Sequence, residues 1–209
     1  MTIESIAAFV LTSTILAFVP GPDNLFVVTQ AAMRGRVAGM KVVLGLCSGL
    51  LVHTTAVSLG VAALLQQSQF AFSILKYVGA AYLLYLAWMA YRWKPDGTAV
   101  AGSAPPAKPS ENLYLRGLVM NIANPKVSIF FLAFLPQFVE RSAGGMKLQL
   151  LTLGIIFIAV TIICFGLLVA GSATIGAKFL KSERAQKIMS KVSALVFVGL
   201  AAKIATTRL

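Results

Sequence analysis

Apolar residues run through this chain in long, nearly uncharged stretches, broken at a few places by prolines, glycines and short polar clusters. A helix rising 1.5 Å per residue needs about 20 apolar residues to cross a bilayer. On that rule six spans are expected, near 3–33, 39–65, 70–92, 113–139, 148–177 and 187–207. The polar quartet Gln66-Gln67-Ser68-Gln69 divides one long uncharged run into the second and third spans. The segment 93–112, WKPDGTAVAGSAPPAKPSEN, is rich in Pro, Gly, Ser and Ala and reads as a linker. Two spans carry breakers inside the apolar run. Span one contains Pro20, Gly21, Pro22, Asp23 and Asn24, and span four contains Asn121-Ile122-Ala123-Asn124-Pro125-Lys126.

Composition agrees with a lipid solvent. Of the 209 residues 58% are hydrophobic and 11% charged, and mean hydropathy is +0.87, far from the roughly 25% charged residues of a soluble domain. The net charge of +12 would suggest a nucleic-acid ligand in a soluble chain. Here the basic residues lie between apolar runs and act as topology determinants, so no nucleic-acid partner is expected. The first apolar segment opens on Glu4 without a preceding Lys or Arg, which predicts a retained span rather than a cleaved leader.

Twelve of the 18 Lys and Arg fall in the first, third and fifth loops. Five (Lys76, Arg141, Lys147, Lys203 and Arg208) fall on the other side, and Lys126 lies within the membrane. The positive-inside rule then places both termini outside the cytoplasm. The sixth span is the least apolar, because Lys191 and Lys203 flank its uncharged centre and must snorkel.

The two halves repeat one plan: residues 1–92 and 113–209 each hold a broken helix followed by two unbroken ones, and 93–112 joins them. Met40-Lys41 with Leu44-Gly45, and Met146-Lys147 with Leu153-Gly154, add a fainter echo. Three spans is an odd number, so the halves must be inverted relative to each other. The expected fold is all-α and integral to the membrane, with six helices in two inverted repeats and broken first and fourth helices. Secondary transporters of this plan bind substrate at the breaks, near the midplane.

The chemistry of the breaks suits a zwitterion. Proline lacks the N–H that a helix interior uses but fits the first position of a new helix, and Asn124 before Pro125 is a good N-cap. A restarted helix offers free N–H groups and a positive dipole end to a carboxylate. Asp23 suits an ammonium, and Asn24, Asn121 and Asn124 add donors and acceptors. The expected substrate-binding set is Pro20, Gly21, Pro22, Asp23, Asn24, Asn121, Asn124, Pro125 and Lys126. Asp23 and His53 are the candidates for proton coupling.

Three stretches carry a family resemblance: PGPDNLFVVTQAAMRGRVAG, LKYVGAAYLLYLAWMAYR and NIANPKVSIFFLAFLPQFV. They resemble the LysE/RhtB superfamily of bacterial amino-acid exporters, in particular its homoserine/threonine-resistance branch, over almost the whole chain except 93–112. The resemblance implies efflux of small neutral or cationic amino acids across the inner membrane by proton antiport, with the lipid bilayer, the amino acid and protons as partners.

Other readings of the same residues stay open. A proline also makes a simple kink. Asp23 and Lys126, each next to a break proline and opposite in sign, also suit a structural ion pair. His53 reads first as a hydrogen-bonded packing residue, and its case as a proton carrier improves only if it faces Asp23. Gly45 and Gly49, spaced as GxxxG, point to close helix packing. Tyr77, Trp88 and Tyr91 suit the membrane interface, whereas Tyr82 and Tyr85 are deep enough to line a cavity. Cys47 and Cys164 occupy equivalent spans, which suggests as the alternative function a membrane thiol-electron carrier. No nucleophile with an attendant base is visible, so no enzyme is expected. Without CxxC or metal-ligand spacing no metal or cofactor is expected either, and a homo-oligomer is left open.

Overall fold

The computed structural model describes residues 1–18, 21–61, 69–92, 111–140, 143–172 and 182–206. Pro20, the Gln66-Gln67-Ser68 part of the polar quartet and residues 93–110 of the linker lie outside the described residues.

The described chain is helical throughout, with eight α-helices and no strand. In order they are α1 (Ile3–Phe18), α2 (Pro22–Arg34), α3 (Arg36–Ala56), α4 (Gln69–Arg92), α5 (Leu113–Ile122), α6 (Pro125–Ile129), α7 (Met146–Gly171) and α8 (Glu183–Thr206). A π-helical turn, Val57–Val61, extends α3, and a π-helical turn, Phe130–Phe134, followed by a 3-10 turn, Leu135–Phe138, extends α6. By length and apolarity Arg36–Gly60 and Met146–Gly171 are each able to cross a membrane. If each bent pair counts as one span, α1 with α2 and α5 with the run Pro125–Phe138 raise the number among the described residues to four. The chain is therefore an integral membrane helical protein.

Local chemistry sets the helix ends. The Thr2 hydroxyl accepts from the Ser5 amide at 3.2 Å and Glu4 stands in the first turn, where the helix dipole favours an anion. Asn112 caps α5 by accepting from the amides of Tyr114 and Leu115 at 3.1 and 3.2 Å. Between α2 and α3 the chain reverses at Gly35, whose φ of 86° only glycine takes without strain.

Glycines also decide the closest helix contact. α3 packs most extensively on α5, and a Cβ on Gly45 would run into the Tyr114 carbonyl, while one on Gly49 would lie 2.6 Å from Asn121 Oδ1. The GxxxG spacing is thus a packing seam. The Leu-Gly echo of the second half plays a different part: Gly154 of α7 faces Thr54 of α3, not a helix equivalent to α5. α4 pairs chiefly with α8, and α3 also crosses α7.

The buried apolar residues form two clusters of different character. One is dominated by aromatic rings, among them Phe9, Phe130, Phe131, Phe134, Phe138 and Phe157. The other is built from smaller residues such as Val27, Val42, Val43, Cys47, Cys164 and Val169. Long-range polar contacts join several helix ends. Glu140 pairs with the Met1 amine at 3.2 Å, Lys76 donates to the Ala205 carbonyl at 3.4 Å, and the Lys203 ammonium lies 4.5 Å above the Phe138 ring. Arg36 donates to the Ala170 carbonyl and Ser190 to that of Ala90.

Candidate functional site

Each break ends one helix and starts another. α2 begins at Pro22 with Gly21 before it in an extended conformation, φ −161°. Its axis is bent by 62° from that of α1. α6 begins at Pro125, and Asn124 caps it by accepting from the Lys126 amide at 3.0 Å. Here the bend from α5 is 51°. A proline at the first helical position loses no hydrogen bond, which is why both helices restart there.

The breaks meet. Asn124 Nδ2 donates to Asp23 Oδ2 at 3.0 Å across 101 residues of sequence, in a buried setting. No ion pair joins Asp23 to Lys126 among the described residues, so the alternative reading of the two as a structural pair finds no contact behind it, and the carboxylate is held by the Asn124 amide. Asp23 Oδ1 and Asn121 Oδ1 are buried and without a hydrogen-bond partner among the described residues. Buried oxygens left this way are costly unless water or a ligand meets them.

A cavity of about 40 Å³ lies at the junction, lined by Asp23, Asn24, Asn121 and Lys126 together with apolar residues of α1, α3, α6 and α7. Ligand pockets span roughly 300–1,000 Å³, so in this conformation the cavity has room for water and not for an amino acid. The rest of the expected set acts on the backbone or on these four. Gly21, Pro22 and Pro125 shape the breaks without lining the cavity. Asn124 has both side-chain polar groups engaged, one as cap and one on Asp23. Asn24 lines the cavity, but its amide is taken by the Ala17 carbonyl at 2.6 Å, so it braces the end of α1.

His53 stands beside this set and outside the cavity lining. Its Nε2 lies 3.2 Å from the Asn121 carbonyl oxygen, and its ring centroid lies 5.8 Å from that of Phe131. A carbonyl only accepts, so Nε2 carries the hydrogen. Tyr82 and Tyr85 do not line the cavity, and Tyr85 is 54% exposed on the outer face of α4. Cys47 and Cys164 are free thiols buried in the smaller-residue cluster, outside the cavity lining. Among the described residues no group of three or more His, Cys, Asp or Glu is placed to hold a metal.

Sequence reading missed the apolar wall: Leu46 and Leu50 of α3 and Phe157, Thr161 and Phe165 of α7. Both helices are apolar nearly all round, so no periodic pattern marks the inward face.

The pattern that defines LysE type translocators matches residues 14–208. The chain belongs to that family. The translocator is similar to the homoserine/homoserine lactone efflux protein of Salmonella typhimurium, with 30% identity over 211 residues covering 100% of this chain and 99% of that protein. It is also similar to the leucine efflux protein of Enterobacter sp., with 30% identity over 202 residues covering 95% and 93%. An uncharacterized membrane protein of Pseudomonas aeruginosa is 33% identical over 209 residues, covering 96% and 94%. No solved structure matches the translocator.

Proposed function

We propose that this translocator exports small neutral or cationic amino acids from the cytoplasm across the bacterial inner membrane. Export runs by proton antiport, and the two halves rock around a site formed by the two breaks. The observation that carries the reading is the Asn124–Asp23 bond. It brings both breaks to one buried cavity lined by Lys126, Asp23 and Asn121, where Asp23 Oδ1 and Asn121 Oδ1 have no hydrogen-bond partner among the described residues. Those groups complement a zwitterion: Lys126 draws the carboxylate, while Asp23 Oδ1 and Asn121 Oδ1 accept from the ammonium. Relatives named for homoserine and leucine efflux favour the same class.

The six-span inverted plan is supported by the contacts between helix ends. On that plan the Met1–Glu140 and Lys76–Ala205 contacts form a first group at one side of the membrane, and the Arg36–Ala170 and Ser190–Ala90 contacts a second at the other, so each contact joins ends that six transits bring to the same side. The contacts also pair as an inverted repeat requires, since α1 packs on α7 as α5 packs on α3. With the positive-inside rule, the first group and both termini face away from the cytoplasm. The small cavity fits an occluded stage of alternating access, in which an amino acid enters only when one side opens.

Asp23 is the proton carrier in this scheme. Of the six acidic residues it alone stands at the breaks, the others falling at span ends or in loops. The test is counterflow in proteoliposomes holding the full chain, with a panel of labelled amino acids and an imposed proton gradient. Exchange of at least one amino acid, accelerated by the gradient, is expected. Failure to move any amino acid would remove the exporter reading, and transport insensitive to the gradient would remove the antiport.

A further inference from the structure

The residues lining the cavity fall into two chemical classes. Its polar residues, Asp23, Asn24, Asn121 and Lys126, all come from the two breaks. They match the ammonium and carboxylate that every amino acid shares, so they cannot tell one amino acid from another. The remaining wall includes Leu46, Leu50, Phe157, Thr161 and Phe165, all buried, on α3 and α7. We propose that this wall is a side-chain subsite selecting amino acids with apolar side chains, and that Thr161 alone sets how far it tolerates a hydroxyl. The proposal rests on the exporter reading of the same site and narrows it from neutral or cationic amino acids to neutral ones, apolar above all.

Hydrogen-bond supply sets the selectivity. Thr161 donates its hydroxyl hydrogen to the Phe157 carbonyl at 2.8 Å, so toward the cavity it keeps acceptor capacity only. Among the described lining residues it is the one polar side chain outside the breaks. A cationic side chain would therefore find no carboxylate beyond Asp23, which the substrate's own ammonium already engages. Its charge would be buried unpaired, the costliest outcome. A hydroxyl side chain could donate one bond to Thr161, but its own lone pairs would meet no donor. An apolar side chain leaves nothing unpaired and gains contact with the Leu and Phe side chains. The expected order is apolar, then hydroxylated, then cationic.

Apolar pockets reject an added hydroxyl by about a hundredfold at most. Homoserine, with one partner in Thr161, is accordingly expected at about ten- to a hundredfold lower kcat/KM than leucine or methionine. Lysine is expected to give no measurable transport.

The experiment measures labelled leucine, methionine, homoserine and lysine in proteoliposomes of the parent protein, then of Thr161→Val and Thr161→Ser. Valine removes the acceptor at nearly constant volume, so the leucine-to-homoserine ratio should rise about tenfold. Serine keeps the hydroxyl and should keep the parent ratio. Homoserine or lysine carried by the parent as fast as leucine would overturn the subsite while leaving the exporter reading intact. No transport of any of the four, together with none in a wider amino-acid panel, would take both readings down. An unchanged ratio in Thr161→Val would overturn the role of Thr161. If that variant fails to fold, as thermal melting in detergent would report, the parent panel still decides the subsite.

Discussion

Asp23 shows how much a single side chain carries here. Its Oδ2 is held by the Asn124 amide and its Oδ1 is buried without a partner among the described residues. Asp23→Asn keeps the shape and still offers the Asn124 amide an oxygen to bond, while removing the charge and the proton that the carboxyl exchanges. The fold is expected to survive, with thermal melting in detergent near that of the parent. Gradient-driven export should fall by about ten- to a hundredfold or more, the worth of a charged hydrogen bond in a buried site. Export by this variant at the parent rate would take Asp23 out of the coupling step. His53, hydrogen-bonded to the Asn121 carbonyl at the other break, would then be the group to test.

At the scale of elements, the seam between α3 and α5 fixes where the second break sits. Gly45 and Gly49 let the helix bearing Asn121 approach so closely that the Asn121 side chain lies over Gly49. Alanine favours an isolated helix over glycine by about 1 kcal/mol, yet at Gly45 its methyl would collide with a backbone carbonyl that cannot swing aside. Overpacking of this kind costs roughly 1–3 kcal/mol. Gly45→Ala should therefore lower the melting temperature in detergent. Gly166→Ala on α7, where a Cβ meets nothing within 4 Å, should leave it unchanged or raise it. Equal behaviour of the two variants would show that the seam is looser than the contacts imply.

The orientation of the whole molecule is predicted by the charge count alone. Single cysteines at Ala104, in the 93–112 linker, and at Ala143, between α6 and α7, should fall on opposite sides of the membrane. Ala143 serves better than its neighbour Gly144, where a φ of 65° would strain any side chain. With Cys47 and Cys164 replaced by alanine, an impermeant thiol reagent added to intact cells should label the cysteine at position 143 and spare the one at 104. Labelling at 104 would invert the molecule. The same background separates the two function classes, because an exporter keeps its activity without its buried thiols and an electron carrier does not.

Wherever the determining physics is local, the sequence alone was sufficient. The length of an apolar run marks a span, a proline without its N–H marks a helix restart, and an asparagine before it supplies the cap. The helices, both breaks and the polar inventory around them were therefore legible, as was the family from the motifs at those breaks. Pairing was not legible. Opposite charge allows Asp23 and Lys126 as a pair without requiring it, whereas Asn124 reaches the carboxylate once the two restarted helices converge, and only their packing brings residues 101 positions apart into one bond. The apolar wall was hidden for a different reason. Lipid and protein interior both favour Leu and Phe, so the hydrophobic pattern of α3 and α7 does not distinguish the face turned to the cavity from the face turned to the bilayer. Tertiary packing alone brought Leu46, Leu50, Phe157, Thr161 and Phe165 to one surface.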